Sequence, residues 1–308
     1  MSRAGRKSYR ARTIKRERRT HERLEQLDSQ ILDVLSADHP QSVRHVFYRM
    51  TDPRLPEPVE KSERGYRHVQ DRCVKLRRSG RLPYGWITDA TRRGYYTHTY
   101  ADAGDFLRRV AGLYRGDLWS LSEWRCEVWV ESRSIAGVID RDCRELAVSL
   151  YPAGGFSSIT LAYEAAQMLN RTEDERPLRI LYIGDWDPAG VLIDVALERE
   201  LRKHLDTTID LDFRRLAITE AQIMELDLPT KPRKNGDRRA LHVASTVEAE
   251  AMPARHMRNL LRTEIESLLP DGALVATKVA EDSERHLIGH ILAKDADFYK
   301  NPGQQEDM

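Results

Sequence analysis

The feature that most constrains the fold is a short apolar run that ends in an acidic turn. Residues 178–183 are apolar except for Arg179, and Gly184-Asp185-Trp186-Asp187-Pro188 follows them directly. A strand that is apolar on both faces is typical of a parallel sheet covered by helices. Aspartates at i and i+2 beyond such a strand point the same way. They can hold one hard cation, because Mg²⁺ prefers carboxylate oxygen.

A second apolar run predicts a neighbouring strand. Val128-Trp129-Val130 ends at Glu131, and helices are expected over about 135–150, 160–169 and 190–204. Alternating strands and helices predict an α/β domain with a largely parallel sheet, whose functional site lies where the strands end. We therefore expect Glu131 to meet Asp185 and Asp187 at one edge of the sheet and to form a metal site with them.

The first third of the chain is predicted to be helical. Apolar spacing indicates helices over about 20–35, 42–50 and 62–79, followed by a turn-rich piece at 81–87 with a possible short strand. This order is the plan of a winged helix-turn-helix, in which the last helix reads DNA. Its candidate DNA-binding residues are Arg64, Arg67, Arg72, Lys75, Arg77 and Arg78.

Charge is unevenly distributed in this chain of 308 residues, although its net charge is only +1. The first twenty residues carry nine basic side chains and one acidic side chain, Glu17. Segregated positive charge favours a polyanionic partner, and we expect double-stranded DNA. The predicted organisation is a basic tail (1–20), a winged-helix domain (21–93), a linking region (94–125), a parallel-sheet domain with a C-terminal extension (126–300) and a second tail (301–308).

Composition excludes several classes of protein. The three cysteines form no Cys-x-x-Cys pair, which argues for a reducing compartment and against a disulfide scaffold. No apolar run approaches the roughly 18–20 residues of a membrane helix. The basic N-terminus lacks the apolar core of a secretory signal. We expect a cytoplasmic, nucleoid-associated protein with no membrane partner.

Two strand-end motifs carry a resemblance to a known domain. Glu131 after one strand and Asp185-x-Asp187 after a later one resemble the signature of Toprim domains, over about 127–206. The turn Gly154-Gly155-Phe156-Ser157-Ser158 is similar to the glycine-rich element of that family. The resemblance implies a Rossmann-like fold and a Mg²⁺ or Mn²⁺ site for phosphoryl transfer at Glu131, Asp185 and Asp187.

A third motif is similar to one branch of that family. Arg44, Phe47 and Tyr48 match the segment that carries the catalytic tyrosine in topoisomerase VI A subunits and the related meiotic double-strand-break transesterases. The resemblance implies that Tyr48 attacks DNA, assisted by Arg44 and Glu131, in a homodimer where Tyr48 reaches the partner's metal site. The chain has no P-loop, so ATP-driven strand passage needs a separate ATPase subunit. Ser132 stands where the branch commonly has lysine.

Two other interpretations remain open. A Toprim-type nuclease would use water instead of Tyr48, as in defence against foreign DNA, and a non-catalytic DNA-binding protein would use the acidic residues only structurally. Tyrosine needs a proton acceptor and a cation to act as a nucleophile, because its pKa is about 10. Further along, Lys231 to Arg239 is expected to be a loop near DNA. Glu248 and Glu250 could add carboxylates for a second metal ion, but we expect them to be exposed charges at a helix start.

Overall fold

The computed structural model describes residues 19–88, 97–154, 159–172, 174–233 and 239–300. The predicted N-terminal tail up to residue 18, the glycine-rich turn residues 155–158 and the C-terminal tail lie outside the described residues.

The N-terminal unit contains the predicted helices, namely α1 (His21–Ala37), α2 (Val43–Met50) and α3 (Glu63–Arg78). The side chains of Thr20, Ser42 and Ser62 cap these helices by accepting a backbone N–H from three residues further on. Such caps satisfy donors that a helix start otherwise leaves open. The predicted short strand is instead a 3-10 turn over Tyr84–Trp86 followed by a single bridge between Gln41 and Ile87. The described part of 80–88 therefore contains no wing hairpin.

Four parallel strands form the central sheet of the described chain. They are β1 (Arg125–Val130), β2 (Ser149–Pro152), β3 (Leu178–Ile183) and β4 (Leu211–Ala217), in the spatial order β2-β1-β3-β4. The connections contain α5 (Arg133–Glu145), α6 (Ile159–Asn170) and α7 (Gly190–His204). All six residues of β3 are buried, which agrees with its apolar sequence. The predicted α/β class with a parallel sheet is confirmed.

Two strands and one boundary differ from the prediction. The helix that was expected to reach residue 150 ends at Glu145. Just after it, the backbone N–H of Val148 donates to the carbonyl of Cys143, and Ala147 adopts a φ of 54°, which stops the helix from continuing. The chain then enters β2, which lies at an edge of the sheet and is only partly buried. β4 is the other edge strand and carries charged residues. Neither edge strand has the continuous apolar pattern of β3, so the sequence did not indicate them.

The C-terminal part covers one side of the sheet and packs against the helical unit. It contains α8 (Glu220–Glu225), the antiparallel pair β5 (Lys231–Pro232) and β6 (Ser245–Thr246), a 3-10 turn (Ala249–Ala251), α9 (Ala254–Glu266) and α10 (Ala273–Lys300). In the region expected to link two domains, α4 (Ala103–Ala111) packs on α10 instead. None of the described helices is both long and apolar enough to cross a bilayer.

The contact between the two units is made mainly by α2. Arg49 Nη2 donates to the carbonyl of Ala251 at 2.5 Å, and Asp38 pairs with Arg258. One continuous apolar core runs from Leu27 in α1 to Ile265 in α9. The helical unit is therefore fixed against the segment that follows β6.

Candidate functional site

The strand register brings Glu131 to the acidic turn. Val130 of β1 lies beside Ile183 of β3, so the residues that follow them are neighbours. Glu131 Oε2 accepts a hydrogen bond from the backbone N–H of Asp185 at 3.0 Å. A Cβ on Gly184 would lie 2.6 Å from the ring of Tyr182 and 2.9 Å from Glu131 Oε2. The carboxylate can approach this closely because residue 184 has no side chain.

Asp187 is directed toward the start of α7. Its Oδ1 accepts hydrogen bonds from the backbone N–H groups of Ala189 at 2.8 Å and Gly190 at 2.6 Å. A carboxylate at this position satisfies open donors and complements the helix dipole. Asp187 therefore has a structural role whether or not it also binds a cation.

Glu248 and Glu250 are site residues that the sequence pattern assigned to the exposed surface. Val247 exchanges two backbone hydrogen bonds with Trp186, each 2.8 Å long, which lays the segment across the acidic turn. The backbone N–H of Ala249 then donates to Asp185 Oδ1 at 2.8 Å. Glu250 is only 5% exposed. The expectation that Glu248 and Glu250 are exposed charges was wrong, because this pairing covers them.

Glu250 is anchored by two hydroxyl groups beyond β1. Its Oε1 accepts hydrogen bonds from Ser132, at 3.2 Å, and from Ser134. Ser132 stands where topoisomerase VI A subunits and related transesterases commonly have a lysine, and here it donates a hydrogen bond to Glu250. The signal that could have revealed this segment is its pattern, because Val247, Ala249 and Ala251 alternate with the two glutamates as small apolar residues do in a covered segment.

The candidate nucleophile lies beside the segment that contains these glutamates. Tyr48 is 3% exposed and lines the same cavity as Glu248. Arg44 Nη1 lies 2.6 Å from Glu248 Oε2, and Lys231 Nζ lies 2.8 Å from Glu248 Oε1. The ammonium groups of Lys61 and Lys231 stand 5.8 and 5.9 Å from the centroid of the Tyr48 ring.

A cavity of about 540 Å³ joins these groups within one chain. Its basic side contains Arg44 and Lys231 next to Tyr48, and its acidic side contains Asp185 with other carboxylates. The residues that line it and carry polar groups are Arg44, Tyr48, Ser132, Asp185, Asp187, Lys231, Arg239, Thr246, Glu248 and Glu250. In the transesterase resemblance Tyr48 reaches a partner's metal site, whereas here it shares a cavity with the aspartates of its own chain.

On the acidic side of the cavity, the ionised forms of the carboxylates are destabilised. Burial, followed by the charges of Glu250 and Glu131, raises the pKa of Asp185 to about 8. Burial is also the main cause of the raised pKa of Glu131, with the charge of Asp187 adding to it. Buried carboxylates so close together repel one another when ionised. A site of this kind is stabilised by any cation that enters it.

The basic side holds Tyr48 in its neutral form. Burial, and then the nearby carboxylate of Glu248, raise the pKa of Tyr48 well above its ordinary value. Burial opposes the ionisation of Glu248. Even so, bonds and charges from Lys231 and Arg44 lower the pKa of that carboxyl overall. Burial, together with the charge of Lys231, lowers the pKa of Lys61 to about 8.

The donor chemistry fits a hard divalent cation bound together with a substrate. Among the described residues, no three His, Cys, Asp or Glu side chains already form a complete ligand group. Mg²⁺ at phosphoryl-transfer sites keeps several waters and takes only one or two carboxylates plus phosphate oxygens. Asp185, with Glu131 and Glu250 close to it, could supply the one or two carboxylates that such an ion needs.

The structure separates the six candidate DNA-binding residues of α3 into two groups. Arg64, Arg67, Lys75 and Arg78 are exposed. Arg72 is turned inward and pairs with Asp28, whose side chain is 1% exposed. Arg77 donates to the carbonyls of Tyr84 and Ile87, both at 2.7 Å. Arg72 and Arg77 thus hold the helical unit together, and the basic surface consists of the other four.

Comparisons with protein-family models, with curated proteins and with solved structures give no match to this chain.

Proposed function

We propose that this protein is a metal-dependent, DNA-cleaving transesterase, with a winged-helix-like N-terminal unit and a Toprim-like sheet unit. The observation that carries the proposal is the shared cavity, in which the phenol of Tyr48 and the carboxylate of Asp185 face the same space. The exposed basic residues of α3 supply a surface for duplex DNA. We propose a homodimer that works with a separate ATPase subunit, as the resemblance implies.

The reaction exchanges one phosphodiester for another. The phenol oxygen of Tyr48 bonds to phosphorus, and the bond from phosphorus to a deoxyribose oxygen breaks. Glu248, which lines the same cavity as Tyr48, is the group that accepts its proton, and water protonates the leaving oxygen. Arg44 binds a phosphate oxygen, since a guanidinium fork matches two of them. Glu131 and Asp185, with Asp187 and Glu250 nearby, would hold a divalent cation, which would supply charge that stabilises the transition state.

Plasmid cleavage tests this proposal. With supercoiled DNA and Mg²⁺, the protein should form a covalent adduct that proteinase K removes. Tyr48→Phe keeps the ring but deletes the attacking oxygen, so adduct and cleavage should both disappear. Tyr66→Phe is the matched control, because it removes a phenol oxygen from a tyrosine of the same unit that is only partly buried. Asp185→Asn should reduce the rate of cleavage by orders of magnitude without unfolding the protein.

The burial of Tyr48 favours a second candidate, a hydrolytic nuclease. A neutral phenol close to Glu248 can position that carboxylate without attacking DNA itself. In that case Tyr48→Phe still cuts DNA, no adduct forms, and Asp185→Asn remains inactive. If wild-type protein binds DNA but never cuts it with Mg²⁺ or Mn²⁺, the non-catalytic interpretation is correct.

A further inference from the structure

The carboxylate of Glu248 is the point where two cationic hydrogen-bond donors converge. Arg44 and Lys231 each bind one of its oxygens, at 2.6 and 2.8 Å, and Tyr48 lines the same cavity. Lys61 Nζ stands 5.8 Å from the centroid of the Tyr48 ring. Three cationic side chains thus surround the tyrosine, and Glu248 is the carboxylate that contacts two of them directly.

This donor set matches the requirements of a phosphodiester. A phosphodiester, like a carboxylate, is a monoanion that presents two equivalent oxygens. Arginine binds either anion with the same planar fork, and lysine adds a point charge. The Tyr48 hydroxyl, whose oxygen must lie against phosphorus in the proposed reaction, belongs to a residue that lines the same cavity. The same groups that hold Glu248 are therefore the groups that a scissile phosphate needs.

We propose that Glu248 occupies the place of the scissile phosphodiester in the DNA-free protein, and that Arg44, Lys231 and the Tyr48 hydroxyl form the phosphate-binding set. The inference deepens the proposed function and rests on it. Entering DNA takes over the bonds from Arg44 and Lys231 and displaces Glu248 from this position. Glu248 thus competes with the substrate, and its removal strengthens binding.

DNA binding without divalent metal separates this idea from catalysis. In EDTA, the anisotropy of a labelled DNA duplex should show that Glu248→Gln binds on the order of tenfold tighter than wild type, because an opposing charge leaves the anion site. Glu250→Gln is the matched control, since it removes an equal charge from the same cavity but from a carboxylate held by Ser132 and Ser134. It should give a clearly smaller gain.

A double variant tests which residues produce the gain. Adding Arg44→Ala to Glu248→Gln should cancel most of the gain, because coupled residues give non-additive effects. If Glu248→Gln binds no tighter than Glu250→Gln, or if the gain survives Arg44→Ala, the phosphate site lies elsewhere. A wild-type protein that fails to cut DNA would count against the proposed function alone, because these affinities are measured without cleavage.

Inorganic phosphate provides a readout that needs no DNA. Glu248→Ala vacates the anion position, so millimolar phosphate should raise its unfolding temperature, as a ligand that binds only the folded state does. Wild-type protein should respond much less, because its own carboxylate fills the position. Equal shifts for both proteins would contradict the proposal. The same scans report whether each variant is folded.

Discussion

At the scale of single residues, Gly184 sets the distance between the two strands' functional side chains. The Cβ of an alanine would lie 2.6 Å from the ring of Tyr182, a fully buried residue that has little room to move. Gly184→Ala should destabilise the protein by about 1–3 kcal/mol, as overpacking of a filled core does. It should also lower cleavage, because Glu131 must shift. Chemical denaturation and plasmid cutting measure the two effects.

Gly85 provides the control for that variant. A Cβ at Gly85 meets no atom within 4 Å, and its φ lies outside the left-handed region. Gly85→Ala should therefore change the free energy of unfolding by less than about 0.5 kcal/mol. Equal effects of the two substitutions would show that the close approach at Gly184 does not matter.

His45 links stability to pH. It is 1% exposed, and burial followed by the charges of Arg49 and Arg258 lowers its pKa to about 3. The unfolded chain takes up this proton near the ordinary value of 6.5, whereas the folded chain resists it. The stability that neutral His45 contributes is thus present above that pH and is lost as the pH falls toward 3.

A variant without the ionisable ring isolates this effect. From pH 6.5 to about pH 4.5, the free energy of unfolding of wild type should fall by about 2–3 kcal/mol more than that of His45→Gln. Urea titrations at several pH values provide the measurement. Parallel pH profiles for the two proteins would mean that the ring is protonated in the folded state.

At the scale of elements, α3 has two functions on different faces. Lys75 and Arg78 are exposed, whereas Arg72 is paired with the buried Asp28. Replacing both Lys75 and Arg78 with glutamine should reduce the slope of log K against log salt by about 0.9 for each phosphate that the variant no longer neutralises. The measurement is DNA binding across a salt series.

Arg72→Gln is the counterpart on the inward face. Among the described residues, it leaves the buried Asp28 with only the 3.6 Å contact to Arg81, so it should destabilise the fold by about 1.5–3 kcal/mol. Where it still folds, its salt slope should match wild type. A reduced slope in Arg72→Gln and an unchanged slope in the double variant would place the DNA surface on another element.

At the scale of the whole molecule, the helical unit and the sheet share one core. Contacts from α2 to the 249–251 turn, including the bond from Arg49 to Ala251, join parts of the chain about 200 positions apart. We expect one cooperative unfolding transition, in which the loss of helix measured by circular dichroism coincides with the change in fluorescence of the five tryptophans, which lie in both units. Separate midpoints would show that the units unfold independently.

The sequence alone indicated the elements whose signals are local. Helices α1, α2, α3, α6 and α7 follow from apolar spacing and breakers near their ends, and β3 follows from its unbroken apolar run. The adjacency of Glu131 and Asp185 was also predictable, because parallel strands end at the same edge of a sheet. Local pattern and one general rule of topology were sufficient for these features.

Only the tertiary structure decided which polar residues converge. The pairing of Val247 with Trp186 and the contacts that Arg44 and Asp185 make with 248–249 join residues 61 to 204 positions apart, which no local pattern encodes. The edge strands likewise depend on pairing with strands 22 and 33 positions away. Packing also turned Arg72 toward Asp28, 44 positions away, and Arg77 toward carbonyls 7 and 10 positions away, which removed both from the basic surface. The sequence determined how many charged residues the chain has. Long-range packing determined which of them face the cavity, because the burial of a charge depends on the segments that cover it.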